Sequence, residues 1–235
     1  MKRFHHRYTL PLILLLLVLA IMALSLGLIN FKRDTTLPSN TNAATIGIEL
    51  NQNYSIVDLH QLEDHGISFV YFRSTQGKTY FDNDFLTYRD QVLGTNLAYG
   101  VAQYYSDEST AEEQYQYFVK KVGMQTGSLP ILIKPAVSQR SLKYLQSMAH
   151  FVSLLQSQGK LAMVAVSNQY RQYFPKGTLF MATGKKVPNQ LQYSFWRYTT
   201  DGRVKNVSGL EKGVTMYSYN GTVSQYKQKY GQLTQ

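Results

Sequence analysis

No cysteine occurs in the 235 residues, so neither a disulfide framework nor a thiolate metal site is available to the chain. Acidic residues are scarce: 14 Asp and Glu stand against 24 Lys and Arg, for a net charge of +10. The scarcity is uneven. From Gln114 to Thr200 there is no Asp or Glu in 87 residues, while the same stretch holds eleven Lys and Arg. Chemistry that needs two carboxyl groups must draw on the rest of the chain, where the candidates are Glu49, Asp82, Asp84, Asp107, Glu108 and Asp201. Tryptophan occurs once, at Trp196, beside 19 tyrosines. The five histidines are scattered and none pair at ligand spacing, so no metal site and no cofactor are expected. There is no internal repeat and no low-complexity stretch.

A chain of this length builds one ordinary to large domain whose core needs no covalent staples. Its pI near 9.6 favours anionic partners: nucleic acid, acidic lipid or an anionic polymer. The N-terminus narrows that choice. After the basic opening MKRFHHRY, Leu10 to Ile29 carry no charge. Twenty residues of helix span about 30 Å, the hydrocarbon thickness of a bilayer. A cleavable signal has a shorter apolar region of about 7–15 residues followed by a small-x-small site. The nearest such site, ALS at 23–25, lies inside the run. The preferred reading is an uncleaved transmembrane signal anchor over residues 10–31, preceded by a basic cytoplasmic tail over 1–9; a long cleaved signal peptide is the competing one. Lys2, Arg3 and Arg7 precede the span, and Lys32 and Arg33 follow it. That bias leaves the N-terminus in the cytoplasm and the remainder outside the cell membrane. Export removes nucleic acid from the partners. Residues 32–44, KRDTTLPSNTNAA, read as a short polar linker, and 45–235 as the exported domain.

From Thr45 onward, strand-like and helix-like segments alternate. TIGIEL, ISFVYFRS, AYGVAQYYS, LPILIKPA, KLAMVAVS, GTLFMAT and YSFWRYTT have the character of strands. Between them, SIVDLHQLEDHG, NDFLTYRDQVLGTN, STAEEQYQYFVKKVG and SLKYLQSMAHFVSLLQSQG have helical spacing. The third of these opens on a Ser/Thr cap with an acidic first turn and closes on lysines and glycine, the charge order that a helix dipole favours. Such alternation belongs to α/β folds with a parallel sheet, and the strand count fits a closed barrel as well as an open sheet. In barrels the working site lies at the C-terminal strand ends, which directs attention to Glu49, Ser74, Tyr104 and Lys134.

GIELN at 47–51, GISFVYFRSTQGKTYFDNDF from Gly66, SLPILIKPA from Ser128, YSFWRYTTDGRVKNVSGL from Tyr193 and GVTMYSYNGT from Gly213 resemble, in order and spacing, the glycoside hydrolase family 25 lysozymes, bacterial muramidases that cut peptidoglycan. The resemblance covers about residues 45–225. It implies an irregular (β/α) barrel with a glycan groove across the strand C-termini. It also implies an acidic residue on the first strand, an Asp-x-Glu pair at the end of LPILIKPA, and a further Asp in the closing segment.

The chain departs from that pattern at nearly every acid. Glu49 keeps a carboxylate on the first strand, but Lys134 and Ala136 stand at the Asp-x-Glu pair, Thr215 at the closing Asp, and Gln103 where the family offers His. Glycoside cleavage generally needs two carboxyl groups across the bond, and alanine donates no proton. A lysine about 5 Å from a developing oxocarbenium costs roughly 3 kcal/mol at an effective dielectric near 20, about a hundredfold in rate. The expectation is therefore a membrane-anchored domain that holds peptidoglycan glycan or an anionic wall polymer, or docks a wall-active protein, without hydrolysis. The alternative is an active muramidase with a rearranged carboxylate pair. Residues expected to contact ligand are Arg73, Gln103, Tyr104, Lys134, Trp196 and Tyr198, with Glu49 as the retained carboxylate.

Overall fold

A computed structural model describes residues 6–31, 35–39, 45–54, 56–137, 141–210 and 213–231. Helix α1 spans His6–Phe31, with its side chains described over 11–26. Among the described residues no helix is long and apolar enough to cross a membrane. Most of the expected cytoplasmic tail, and residues 32–34 and 40–44 of the expected linker, lie outside the described residues.

The rest forms a barrel. In chain order the elements are β1 (Ile46–Leu50), α2 (Leu59–Asp64), β2 (Ile67–Gln76), β3 (Tyr80–Phe81), α3 (Phe85–Val92), β4 (Ala98–Tyr105), α4 (Ala111–Val122), β5 (Ile131–Pro135), α5 (Leu142–Ser157), β6 (Ala162–Val164), β7 (Leu179–Thr183), β8 (Phe195–Gly202), β9 (Val214–Tyr219) and α6 (Val223–Tyr230). Strands β1, β2, β4, β5, β6, β7 and β8 run parallel in ring order, and β9 inserts antiparallel between β8 and β1. Pairing of β1 with β2 closes the ring at eight strands, so the barrel and not the open sheet is formed. Strand β3 only extends the end of β2 as a hairpin.

The irregularity has a local cause. The first half of the barrel carries full crossover helices; α4, for example, opens on a capping box between Thr110 and Glu113, which satisfies two N-terminal amides reciprocally. After β6 the helices run out. KLAMVAVS yields only three strand residues followed by a 3-10 turn over Asn168–Tyr173, and β7 reaches β8 without any helix. The outer layer is therefore thinner on the β6–β8 side.

Strand alternation sorts the side chains into two layers. Val70, Phe72, Ile133 and Val164 join the large cluster between strands and helices. Phe69, Tyr71, Leu132, Met163, Phe195 and Tyr217 fill the barrel interior. Helix α6 plugs the N-terminal end: Tyr226 lies 5.9 Å from Phe69 and Tyr230 5.6 Å from Phe195, centroid to centroid. With the bottom sealed by aromatic rings, access to the interior is from the C-terminal mouth.

Gly47 makes room for this filling. A Cβ there would stand 2.3 Å from the ring of Phe69, far inside contact distance. Gly47→Ala is expected to destabilise the barrel by about 1–3 kcal/mol through overpacking, read as a melting point lower by several degrees; an unchanged melting point would show that the interior has slack.

Candidate functional site

Glu49 is the last inward residue of β1, and it is only 2 % exposed. A carboxylate withdrawn this far from water is tolerated only when paired and hydrogen-bonded. Lys134, the last inward residue of β5 and 7 % exposed, supplies the charge. Its Nζ lies 2.8 Å from Oε2 and 3.0 Å from Oε1 of Glu49. Tyr104 on β4 donates its hydroxyl to Oε1 at 2.5 Å and accepts from Lys134 Nζ at 2.6 Å. Tyr217 on β9 donates to Oε2.

Counting donors and acceptors defines the chemistry. An ammonium has three N–H groups, and a carboxylate offers about four acceptor positions. Lys134 directs two N–H groups to Glu49 and one to Tyr104. Glu49 receives two bonds from Lys134, one from Tyr104 and one from Tyr217. Both groups are saturated from within the protein. Burial works to raise the Glu49 carboxyl, but the Lys134 charge and the hydrogen bonds from Lys134, Tyr104 and Tyr217 outweigh it and hold the carboxyl below its ordinary value. Burial lowers the Lys134 ammonium; Glu49 opposes this, while Arg197 and Arg73 add to it. The geometry is that of a saturated carboxylate–ammonium pair, in which neither oxygen of Glu49 is left as a free base.

Further cations surround it. The Arg73 guanidinium on β2 lies 4.5 Å from the ring centroids of both Tyr80 and Tyr104 and donates to Gln76 Oε1 at 2.8 Å. Arg197 points inward from β8, close enough to depress the Lys134 ammonium. Beside Lys134 and Arg197, a cavity of about 490 Å³ opens at the ends of β5, β6, β7 and β8.

The structure brings Glu49, Arg73, Tyr104 and Lys134 together, and it separates the other expected contacts from them. Gln103 is buried on the helix side of β4, where its amide faces Gln114 of α4. Trp196, 2 % exposed, and Tyr198 belong to the outer cluster; the indole donates to Gly184 O and the phenol to Thr36 O at 2.8 Å. These three are therefore corrected from groove residues to packing residues: they occupy the wrong phase of their strands. Lys134 is corrected too, since its donors are spent on Glu49 and Tyr104 rather than left for a ligand. Ala136 is exposed just beyond β5. Thr215 is half-buried on the same strand face as Tyr217. Residues that sequence reasoning missed are Tyr217 and Arg197. Alternation held the signal: in YSFWRYTT, Phe195 and Arg197 share one face, opposite Trp196 and Tyr198.

Of the other acids among the described residues, Asp82 alone is buried. Burial raises its carboxyl, against the pull of backbone N–H groups of Gln52 and Asp84, the Tyr80 hydroxyl and Arg73. Those amides and that hydroxyl occupy its oxygens at 3.1–3.2 Å, a structural tie between the β1 end and α3. Asp107, Glu108 and Asp201 are exposed. Among the described residues no group of His, Cys, Asp and Glu is placed to hold a metal.

Two outcomes follow for the ion pair. Lys134→Met leaves Glu49 buried and uncompensated and is expected to cost about 3–5 kcal/mol, while Glu49→Leu with Lys134→Met in one chain recovers most of that loss; thermal melts of the two variants check it. The folded Glu49 carboxyl titrates below its ordinary 4.5. Its contribution is therefore present above that pH and is lost as pH falls through the lower folded value. The acid limb of melting point against pH is expected to be shallower in Glu49→Gln.

Comparison with known proteins agrees with this architecture. A family model, glycosyl hydrolases family 25, matches residues 48–207. Among solved structures, a family 25 glycosyl hydrolase from Bacillus anthracis superposes with a TM-score of 0.65 at 17 % identity, covering 85 % of this chain and 98 % of that one. The bacterial lysozyme from Streptomyces coelicolor gives 0.60 at 17 % identity, covering 79 % and 96 %. A family lysozyme from Aspergillus fumigatus gives 0.56 at 15 % identity, covering 79 % and 98 %. No curated protein matches. With a family model spanning most of the barrel and the same fold in these structures, the chain belongs to glycosyl hydrolases family 25.

Proposed function

We propose that this protein is a membrane-anchored, lysozyme-like domain that binds peptidoglycan outside the cell without cleaving it. The observation that carries the reading is the saturated Glu49–Lys134 pair. The family's groove is kept, but its one retained acid is neutralised by a lysine and two tyrosines. Hydrolysis of a glycoside needs a proton donor to the leaving oxygen and a second carboxylate to meet the oxocarbenium. Glu49 offers neither, because each of its oxygens already accepts two bonds. Asp82, the other buried acid, is tied to backbone amides.

The anchor rests on the sequence, in which Leu10 to Ile29 form an uncharged apolar run. The domain stays near it. Thr36 N donates to Arg203 O at 2.9 Å, Arg203 N to Thr36 Oγ1 at 3.0 Å, and Lys205 N to Thr35 Oγ1 at 3.0 Å. From Phe31 to Thr35 the chain reaches at most about 14 Å, so the barrel rim at the end of β8 is held close to the end of α1. A groove tethered in this way would meet wall material next to the membrane, with an anionic wall polymer or a wall-active protein as further partners.

Incubation of the purified chain with sacculi tests this directly. The expected result is co-sedimentation with no loss of turbidity and no new reducing ends. Reducing-end release by the unmodified chain, abolished in Glu49→Gln or Asp82→Asn, would instead establish an active muramidase with a rearranged carboxylate pair.

A further inference from the structure

We propose that the cavity at the ends of β5–β8 is a binding site for the phosphate group of a polyol- or sugar-phosphate. The inference deepens the reading of a groove that retains its ligand, and rests on it. The lining of the cavity comes wholly from residues 134–197, which lie inside the stretch that lacks any Asp or Glu. An anion entering it therefore meets no carboxylate from the wall.

Three cations line it: Lys134, Lys186 and Arg197. They are not equivalent. Lys134 is cancelled by Glu49 and has no donor left. Among the described residues, no hydrogen bond or ion pair engages the side chain of Arg197 or Lys186. Two charges are thus unneutralised at the cavity, one on a half-buried guanidinium and one on an exposed ammonium. Ser167, Thr183 and Tyr193 also line the space, and the Ser167 hydroxyl accepts from Gln169 N at 3.4 Å. The Tyr193 oxygen already accepts from Asn168 N at 3.1 Å, which leaves its proton to donate outward.

This donor set fits phosphate better than carboxylate. A phosphate carries up to two charges and three or more acceptor oxygens, and a guanidinium grips two of them in parallel while lysine supplies a point charge. At about 490 Å³ the cavity is larger than a phosphate alone. The remaining space is walled by Ala165, Val166 and Met181, which suits the carbon skeleton that bears the group.

Calorimetric titration of the full chain in non-ionic detergent tests this, with inorganic phosphate, glycerol 3-phosphate and a glycerol-phosphate oligomer as probes and glycerol as the neutral control. The phosphate-bearing probes are expected to bind and glycerol not. Arg197→Gln and Lys186→Gln are each expected to weaken binding about tenfold, the scale of one charge-assisted contact, while Lys227→Gln on α6 leaves it unchanged. The Lys186 side chain is exposed, so its variant tests the site independently of folding. Tighter binding of the oligomer assigns the site to a phosphate polymer, and equal binding of all three to free phosphate; either outcome upholds it. Absence of heat with every phosphate probe, or an affinity in both variants unchanged from that of the unmodified chain, overturns it. Sedimentation on sacculi stripped of phosphate separates the two readings. Its loss with phosphate binding intact defeats the peptidoglycan reading, and its retention without phosphate binding defeats only this one.

Discussion

One buried ion pair governs the mouth of this barrel. Glu49 and Lys134 come from strands on opposite sides of β2 and β4 in the ring order, and neither is tolerable there without the other. A lone carboxylate or ammonium at this depth would face a desolvation penalty of several kcal/mol. Their mutual attraction and the hydroxyls of Tyr104 and Tyr217 offset it. Once the pair is made, four strands are tied across the opening, and the Glu49 carboxylate faces an ammonium and two hydroxyls. The lysine is therefore best understood as the internal counter-ion of Glu49, which answers why a cation sits at the end of a buried strand.

The second constraint is the distribution of acid. An 87-residue run without Asp or Glu covers the whole lining of the β5–β8 cavity. The same side of the barrel lacks crossover helices after β6. With Lys134 neutralised, what distinguishes the cavity is Arg197 and Lys186, neither of which the family pattern singles out. Opposite to it, Arg73 is clamped between Tyr80 and Tyr104 and stiffens the wall against which the ion pair rests.

Much of the fold was legible in the chain itself. Apolar strands alternating with capped helices foretold an α/β sheet, and YFDNDF and YSFWRYTT carried the family. The strand ends were legible too, and they direct attention to Glu49, Ser74, Tyr104 and Lys134; Glu49, Tyr104 and Lys134 touch one another, while the Ser74 hydroxyl bonds Ala102 O. The misplaced residues share one cause. Trp196 and Tyr198 have the chemistry of sugar contacts and Gln103 stands where the family offers His, but position is set by strand phase; a shift of one residue moves a side chain from the interior to the helix layer. Arg197 was hidden by the same error, lying between the two aromatics that drew attention. Tyr217 sits opposite Gly47 on the antiparallel β9 and reaches Glu49 only through the length of its side chain, a contact that no local pattern signals.

What the sequence determined by itself is the inventory: no thiol, Glu49 on the first strand, Lys134 and Ala136 at the end of LPILIKPA, and an 87-residue stretch without acid. Which charges are available follows from residue identity alone. Only the tertiary structure decided how the remaining charges are spent. Whether Lys134 faces a ligand or Glu49 depends on two strand ends that are 85 residues apart in the chain and meet across a closed barrel. Pairing between charges is a matter of distance, and distance is set by closure of the ring rather than by any local run of residues.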